Sequence, residues 1–491
     1  MTTAATYDAR ELDRSLVRGV AWTGAAKTIA QVFSWVTSIF VARLLTPADY
    51  GIIGMAMVYV GVMSMVTEFG LGSAVVAHRS LTNHQIAQLN GLSLVLGVAA
   101  VGVSMLAAQP MGWFFHSPAV APVIVALSAM VLFDSARTVP AAVLAKGMRF
   151  KFLAMIEAIK TVLIAAVTVA LAFAGFRYWS LVVGVLAGSF VATIFMLVRH
   201  RVPIRIPKPA DLKEAFGQTR HFLVTNVSWY AYSNADFAVA GRMLGQAPLG
   251  EYTFAWTLAN SPAEKAMGIV NRVLPSVYSA ASGDAASLRR YLLRITEVAA
   301  LVMFPAAAGL ALVSPDLIRA LLGDKWLGAV APLCILAIYA AIQSLSVLVP
   351  PLLLAVGEVR VLSRIVTVSA LVLPVAFVLG GWQFGSIGIA SVWITVYPAI
   401  LAVMYRIAFR AIDLHWRDYA SALGPAVIGT GTMAVAVVLF QQLSPTDLAA
   451  VRLVFAIALG VLVYGACLQT FFRPRLQSAR AWLLMLRGKA A

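Results

Sequence analysis

Arg43-Leu44-Leu45-Thr46-Pro47-Ala48-Asp49-Tyr50-Gly51 reads R-x-L-x-x-A-x-x-G. Arg242-Met243-Leu244-Gly245-Gln246-Ala247-Pro248-Leu249-Gly250, 199 residues later, reads the same. A second echo links Ala119-Val120-Ala121-Pro122 to Ala329-Val330-Ala331-Pro332. Val139-Pro140, Leu144-Ala145 and Gly147 return as Val349-Pro350, Leu354-Ala355 and Gly357, all at an offset of 210. Apolar segments resemble one another by chance, but apolar composition does not place Pro, Gly and Arg in register, and these are residues of turns and helix ends. The pattern reads as an internal duplication. Among membrane helices, a duplicated bundle is the signature of a transporter with its site between the halves.

The sequence around the repeats sets the class. Of 491 residues, 61% are hydrophobic and 12% charged, about half the charge of a soluble chain. From residue 19 to 472, apolar runs long enough to cross a bilayer as helices follow one another between short polar joints. The alternation of a barrel strand is absent. The expected fold is an all-α polytopic membrane protein of about 14 transmembrane helices. It comprises two pseudo-symmetric six-helix bundles plus two C-terminal helices, with both termini cytoplasmic. The expected bounds are 1–198 for the first bundle, 199–213 for a cytoplasmic linker, 214–409 for the repeated bundle, and 410–491 for the two extra helices with a basic tail. The linker contains Val202-Pro203-Ile204-Arg205-Ile206-Pro207-Lys208-Pro209, whose prolines and basic residues suit a surface segment. Residues 1–18 are polar, and the apolar run after them reads as a retained first span rather than a cleaved leader.

The net charge of +17 does not indicate a nucleic-acid partner, because of where the charges fall. On the 14-span reading, 25 of the 37 basic residues lie on one side, from Arg10 to Lys489, and six lie opposite. That bias sets orientation, and the cationic loops face anionic headgroups of the bilayer. Two cysteines and six scattered histidines make neither a disulfide framework nor a metal site, and no cofactor is implied. Phosphate loops, nucleophile elbows and paired-cysteine motifs are missing, so the chain reads as a transporter without covalent chemistry.

Charges inside the spans carry the functional signal, since each costs about 2.5–3.5 kcal/mol at mid-membrane and normally faces a cavity or a partner. Lys27 stands in span 1 and Glu68 in span 2. Asp134 with Arg137, and Glu157 with Lys160, are each three residues apart and read as intrahelical ion pairs. Span 7 (216–241) carries Asn226, Tyr230 and Ser233 on one stripe, with Asp236 further along, and is too polar to face lipid on every side. Span 8 (250–277) carries Glu264, Lys265, Asn271 and Arg272, with Lys265 and Arg272 seven apart on one face. The substrate-binding candidates are therefore Lys27, Glu68, Asn226, Tyr230, Asp236, Glu264, Lys265, Asn271 and Arg272. Basic groups on a watery wall suit an anionic, phosphorylated substrate.

Ala42-Arg43-Leu44-Leu45-Thr46-Pro47-Ala48-Asp49-Tyr50-Gly51, followed by Glu68-Phe69-Gly70-Leu71-Gly72-Ser73-Ala74, resembles the opening of bacterial polysaccharide exporters. These are the O-antigen and exopolysaccharide flippases (Wzx-like) of the multidrug/oligosaccharidyl-lipid/polysaccharide (MOP) superfamily. The resemblance implies a V-shaped cavity between two bundles and alternating access. It also implies export of an undecaprenyl-diphosphate-linked oligosaccharide across the inner membrane, alongside a polysaccharide polymerase and glycosyltransferases. Two other transport readings stay open: a cation-coupled multidrug exporter of the same superfamily, which favours acidic residues such as Asp236, Glu68 and Glu264, and a flippase for a peptidoglycan lipid precursor. A membrane scaffold is a fourth, non-transport reading.

Overall fold

The computed structural model describes residues 35–68, 71–77, 81–208, 219–443 and 448–473. All regular structure there is helical. In chain order the helices are α1 (Trp35–Leu44), α2 (Pro47–Glu68), α3 (Leu71–Ala77), α4 (Asn83–Phe114), α5 (Val120–Lys146), α6 (Phe150–Phe173) and α7 (Tyr178–Arg199). Then follow α8 (Thr219–Leu244), α9 (Gln246–Ala280), α10 (Ala285–Leu321), a short 3-10 turn (Asp324–Ala329), α11 (Val330–Ser346) and α12 (Val349–Ala355). The chain continues through α13 (Val359–Ala411), α14 (Trp416–Leu443) and α15 (Ala449–Phe471). Two compact units divide it, Met1–Val227 and Ser228–Ala491.

Among the described residues, ten helical segments are long and apolar enough to cross a membrane. Outward-facing Leu106, Leu371 and Leu462 are 81%, 69% and 70% exposed, a surface that only hydrocarbon solvates well. The chain is a multi-pass membrane protein. The polar helices α8 and α9 are not among the ten.

α13 makes two passes. Its 53 residues would extend about 80 Å as one rod, far beyond a hydrocarbon core of about 30 Å. The backbone leaves the helical region at Gly385, with φ 60° and ψ −138°. Beyond that point the chain doubles back, because a side chain on Gly388 would collide with the carbonyl of Gly380. Residues eight apart in a straight helix lie about 12 Å apart. Glycine is needed at 380 and 388 for close approach and at 385 for its positive φ.

The duplication read from the turns is present in the helix register. α2 starts at Pro47 and α9 at Gln246, the 199-residue offset of the first repeat; α5 starts at Val120 and α11 at Val330, the 210-residue offset of the second. The Ala-Val-Ala-Pro helix is the central one each time. α5 packs against α2, α4 and α7, and α11 against α9, α10 and α13. One detail departs from the sequence match. Arg149 N–H donates to Leu144 O at 2.9 Å and Met148 N–H to Ala145 O at 3.0 Å. Glu358 N–H donates to Leu353 O at 2.8 Å and Gly357 N–H to Leu354 O at 3.2 Å. These are the same helix stop, at an offset of 209. Gly357 therefore corresponds to Met148 (φ 53°) and not to Gly147 (φ −80°). The left-handed position costs a methionine about 1 kcal/mol.

In the second unit, α14 and α15 pack on α10. Arg452 Nε donates to both oxygens of Asp316 at 2.9 and 2.8 Å, Tyr464 OH donates to Leu301 O at 2.7 Å, and Gln441 Nε2 donates to Leu312 O at 3.0 Å. In the first unit, the proline-rich segment after α7 is docked rather than loose. Asn90 Nδ2 donates to Val202 O at 3.1 Å and Pro203 O at 3.3 Å, and Arg205 N–H donates to Ala87 O at 3.1 Å. A side chain at Gly91 would collide with the Arg205 carbonyl.

Candidate functional site

The repeated turns are structural. Thr46 and Asp49 cap the start of α2: Thr46 N–H and Oγ1 donate to Asp49 Oδ2 at 3.0 and 2.6 Å, and Asp49 N–H returns to Thr46 Oγ1 at 3.3 Å. Arg177 closes on the buried Asp49 at 3.4 Å. In the second copy Gly245, with φ 86°, makes the turn into α9 without a side-chain cap. Arg43 and Arg242 are both exposed beside these turns.

The first unit holds a charge cluster. Arg137 Nη2 donates to Asp134 at 2.8 Å, one turn away on α5, and its Nη1 donates to Glu157 on α6 at 3.0 Å. Lys160 Nζ stands 3.8 Å from Asp134. The expected intrahelical pair Asp134–Arg137 forms. Glu157 and Lys160 instead turn to partners on α5, so the charges tie two helices together. A guanidinium presents donors on two edges and can hold two carboxylates, which favours this arrangement over separate pairs. Glu68, exposed at the end of α2, lies within electrostatic reach of Asp134 and Arg137. Three carboxylates thus gather around two cations. The Glu157 side chain is 58% exposed, so the cluster is open on one edge.

The second unit arranges its polarity differently. Asp236 is fully buried about 12 Å from the repeat-turn end of α8. Its Oδ2 accepts from Tyr252 OH on α9 at 2.7 Å and from Trp393 Nε1 on α13 at 3.1 Å, and its Oδ1 accepts from Phe237 N–H at 2.9 Å. Aromatic rings surround Trp393: Tyr339 on α11 at 4.7 Å, Phe377 at 5.2 Å, and Trp256 and Tyr397 both at 5.5 Å. As placed here, Asp236 is a hydrogen-bonded junction of three helices, enclosed by protein. Spacing along the chain does not disclose it, because Trp393 is 157 residues from Asp236. The available signal was mid-span tryptophan and tyrosine in α9 and α13, away from the membrane-interface positions that such residues usually take.

α9 shows which of its sides is open. Ala263, Met267, Leu274 and Tyr278 are buried in the core with residues of α10 and α12. Glu264, Asn271 and Arg272 are exposed on the remaining surface, and Tyr230 on α8 is half-buried. Lys27 and the side chains of Asn226 and Lys265 lie outside the described residues. Among the described residues no group of three His, Cys, Asp or Glu could hold a metal ion.

A family described as polysaccharide biosynthesis protein matches residues 40–331. The chain belongs to that family. The match starts before the first repeat turn and ends inside α11, so it includes the charge cluster, Asp236 and the open side of α9. Curated relatives of this polysaccharide biosynthesis protein extend further. The lipopolysaccharide biosynthesis protein WzxC of Escherichia coli is 23% identical over 421 residues, 84% of this chain and 85% of its own. The succinoglycan biosynthesis transport protein ExoT of Rhizobium meliloti is 25% identical over 81% of each chain. The probable low-salt glycan biosynthesis flippase Agl15 of Haloferax volcanii is 21% identical over 87% of this chain and 89% of its own. Among solved structures, a lipid II flippase MurJ in an inward closed conformation superposes with a TM-score of 0.72 at 16% identity, covering 91% of this chain and 99% of that one. An inward-facing multidrug-resistance MATE transporter of the MOP superfamily reaches 0.63 at 15% identity, over 78% and 94%. The fold of this family member is therefore the fold shared by MurJ and MATE.

Proposed function

We propose that this chain is a flippase. It moves lipid-linked, anionic oligosaccharide units, carried on undecaprenyl diphosphate, across the bacterial inner membrane by alternating access, for surface polysaccharide synthesis. One observation carries the reading from family to mechanism. Ionisable groups stand exposed on helices of both units, Glu157 on the apolar α6 and Glu264 and Arg272 on α9. Such groups require a watery path, and the relatives bear the names of glycan transport proteins. Arg272 is the described cation best placed to meet a phosphate, with Lys265 beside it in sequence. The role is transport without covalent chemistry, with both termini cytoplasmic. The domain plan runs 1–198, 199–213, 214–409 and 410–491. Glycosyltransferases act before the transport step and a polymerase after it.

Deleting the gene is expected to stop surface polysaccharide and to build up lipid-linked oligosaccharide on the cytoplasmic face. No build-up overturns the function. Arg272→Ala is expected to reproduce the deletion at normal protein level, and wild-type polysaccharide in that mutant removes Arg272 from the site. A second reading, a cation-coupled drug exporter, draws on the acidic surplus of the first unit's cluster. It predicts that the deletion strain loses resistance to cationic drugs while polysaccharide is unchanged.

A further inference from the structure

One end of the first unit presents two edges with the same unusual composition. The turn from α5 to α6 exposes Met148 (79%) and Phe150 (55%) in alternation with the exposed cations Arg149 and Lys151. The segment after α7 exposes Ile204 (65%) and Ile206 (85%) among exposed Arg201, Arg205 and Lys208. These edges are neighbours: Phe152 stacks on Phe195 at 5.8 Å and meets His200 edge-on at 4.8 Å, which joins the start of α6 to the end of α7. Neither edge contains an acidic residue.

The second edge is held in place by its backbone. The three hydrogen bonds from Asn90 and to Ala87, and the missing side chain at Gly91, fix residues 202–205 against α4. Ile204 and Ile206 stand exposed on this anchored segment, next to cations. A soluble surface does not need two fixed isoleucines at this exposure, whereas the headgroup zone of a bilayer accepts apolar side chains and cations side by side.

We infer that this end of the first unit is an anionic-phospholipid binding surface. The segment 201–208 lies on the bilayer with Ile204 and Ile206 in its interfacial zone, and Arg201, Arg205 and Lys208 pair with headgroup phosphates. The occupant is a lipid surface because both edges sit where membrane helices end and carry only positive charge. The inference is independent of the transported substrate.

The test uses full-length protein carrying Cys334→Ser, Cys467→Ala and a nitroxide label at Ile206→Cys, reconstituted into vesicles. One set is phosphatidylcholine alone and the other an equal mixture with phosphatidylglycerol. The ratio of collision with oxygen to collision with a water-soluble nickel chelate reports immersion. The ratio is expected to rise several-fold in the mixed vesicles, to do so also for a label at Ile204→Cys, and to fall back on Arg201→Gln, Arg205→Gln and Lys208→Gln combined. High salt should reverse it in the same direction. An equally low ratio in both vesicle types overturns the proposal. So does a label that is water-exposed in both but shielded in native membranes, since that outcome assigns the surface to a protein partner.

Discussion

The two units share a skeleton and differ in how they keep polar groups inside a membrane. The first leaves Asp134, Arg137, Glu157 and Lys160 as an ion-pair net with one carboxylate open to water. The second seals one carboxylate, Asp236, behind donors from Tyr252 and Trp393 and a layer of rings. The helix starts that define the duplication kept their register, while the turns' capping and the polar content of the equivalent helices diverged. A net open to water can rearrange its pairs at small cost, because solvent stands in for a lost partner. A sealed junction has no substitute partner and acts as a fixed point.

That contrast breaks most easily at Asp236. Asp236→Leu strands the Tyr252 hydroxyl and the Trp393 indole N–H, at about 1–3 kcal/mol for each buried donor. Asp236→Asn keeps an acceptor and is expected to cost about 1 kcal/mol. Thermal unfolding of purified protein should rank the wild type above Asn and Asn well above Leu. Equal melting of Leu and wild type removes the junction. Arg137→Gln should come next. It leaves Asp134 to Lys160 alone and frees Glu157 into water, so its cost falls short of the 3–5 kcal/mol of a fully buried broken pair, at about 2 kcal/mol. A melting loss equal to that of Asp236→Leu means the first unit's net is as sealed as the second unit's junction. The smallest effect separates the units by pH. Thr82 caps α4 with its hydroxyl, in a reciprocal box with Gln85, while Asp284 caps the equivalent helix α10 by accepting from Ala286 and Ser287 N–H. The bonds from Ser287 hold the Asp284 carboxyl below its ordinary value of 3.8. A carboxyl lowered in the folded state stabilises above that ordinary value and ceases to as pH falls through the lowered one. Asp284→Ala should therefore lower the melting temperature slightly at neutral pH and converge with wild type in acid, whereas Thr82→Ala should show a pH-independent loss. A constant gap for Asp284→Ala excludes an ionised cap.

The skeleton was legible in the sequence because turn chemistry is local. Gly245 and the Thr46-Pro47 step mark helix starts, and the α13 hairpin falls where Gly380, Gly381, Gly385 and Gly388 cluster in an apolar run. The open side of α9 was partly legible, since Glu264, Asn271 and Arg272 mark it as polar in the sequence. What local pattern could not give was pairing across helices. Glu157 and Lys160 have the right spacing to bond each other, and only the approach of α5 to α6 offers them better partners. Likewise Asp236 stands in the same polar helix as Tyr230, and nothing within α8 distinguishes a lining carboxylate from one covered by Trp393. The one-residue slip between Gly147 and Met148 was hidden by a coincidence of identical letters.

The hairpin at Gly380–Gly388 bears on how the chain enters the bilayer during synthesis. Because the arms touch backbone to backbone at Gly380 and Gly388, only residues 381–387 remain to turn the chain. The tip, Gly380-Gly381-Trp382-Gln383-Phe384-Gly385-Ser386-Ile387-Gly388, has no charged side chain. Its Trp382 and Phe384 are 76% and 68% exposed. Such a tip can be carried through hydrocarbon at low cost, so the two arms can be threaded as one folded insert without a separate step for each pass.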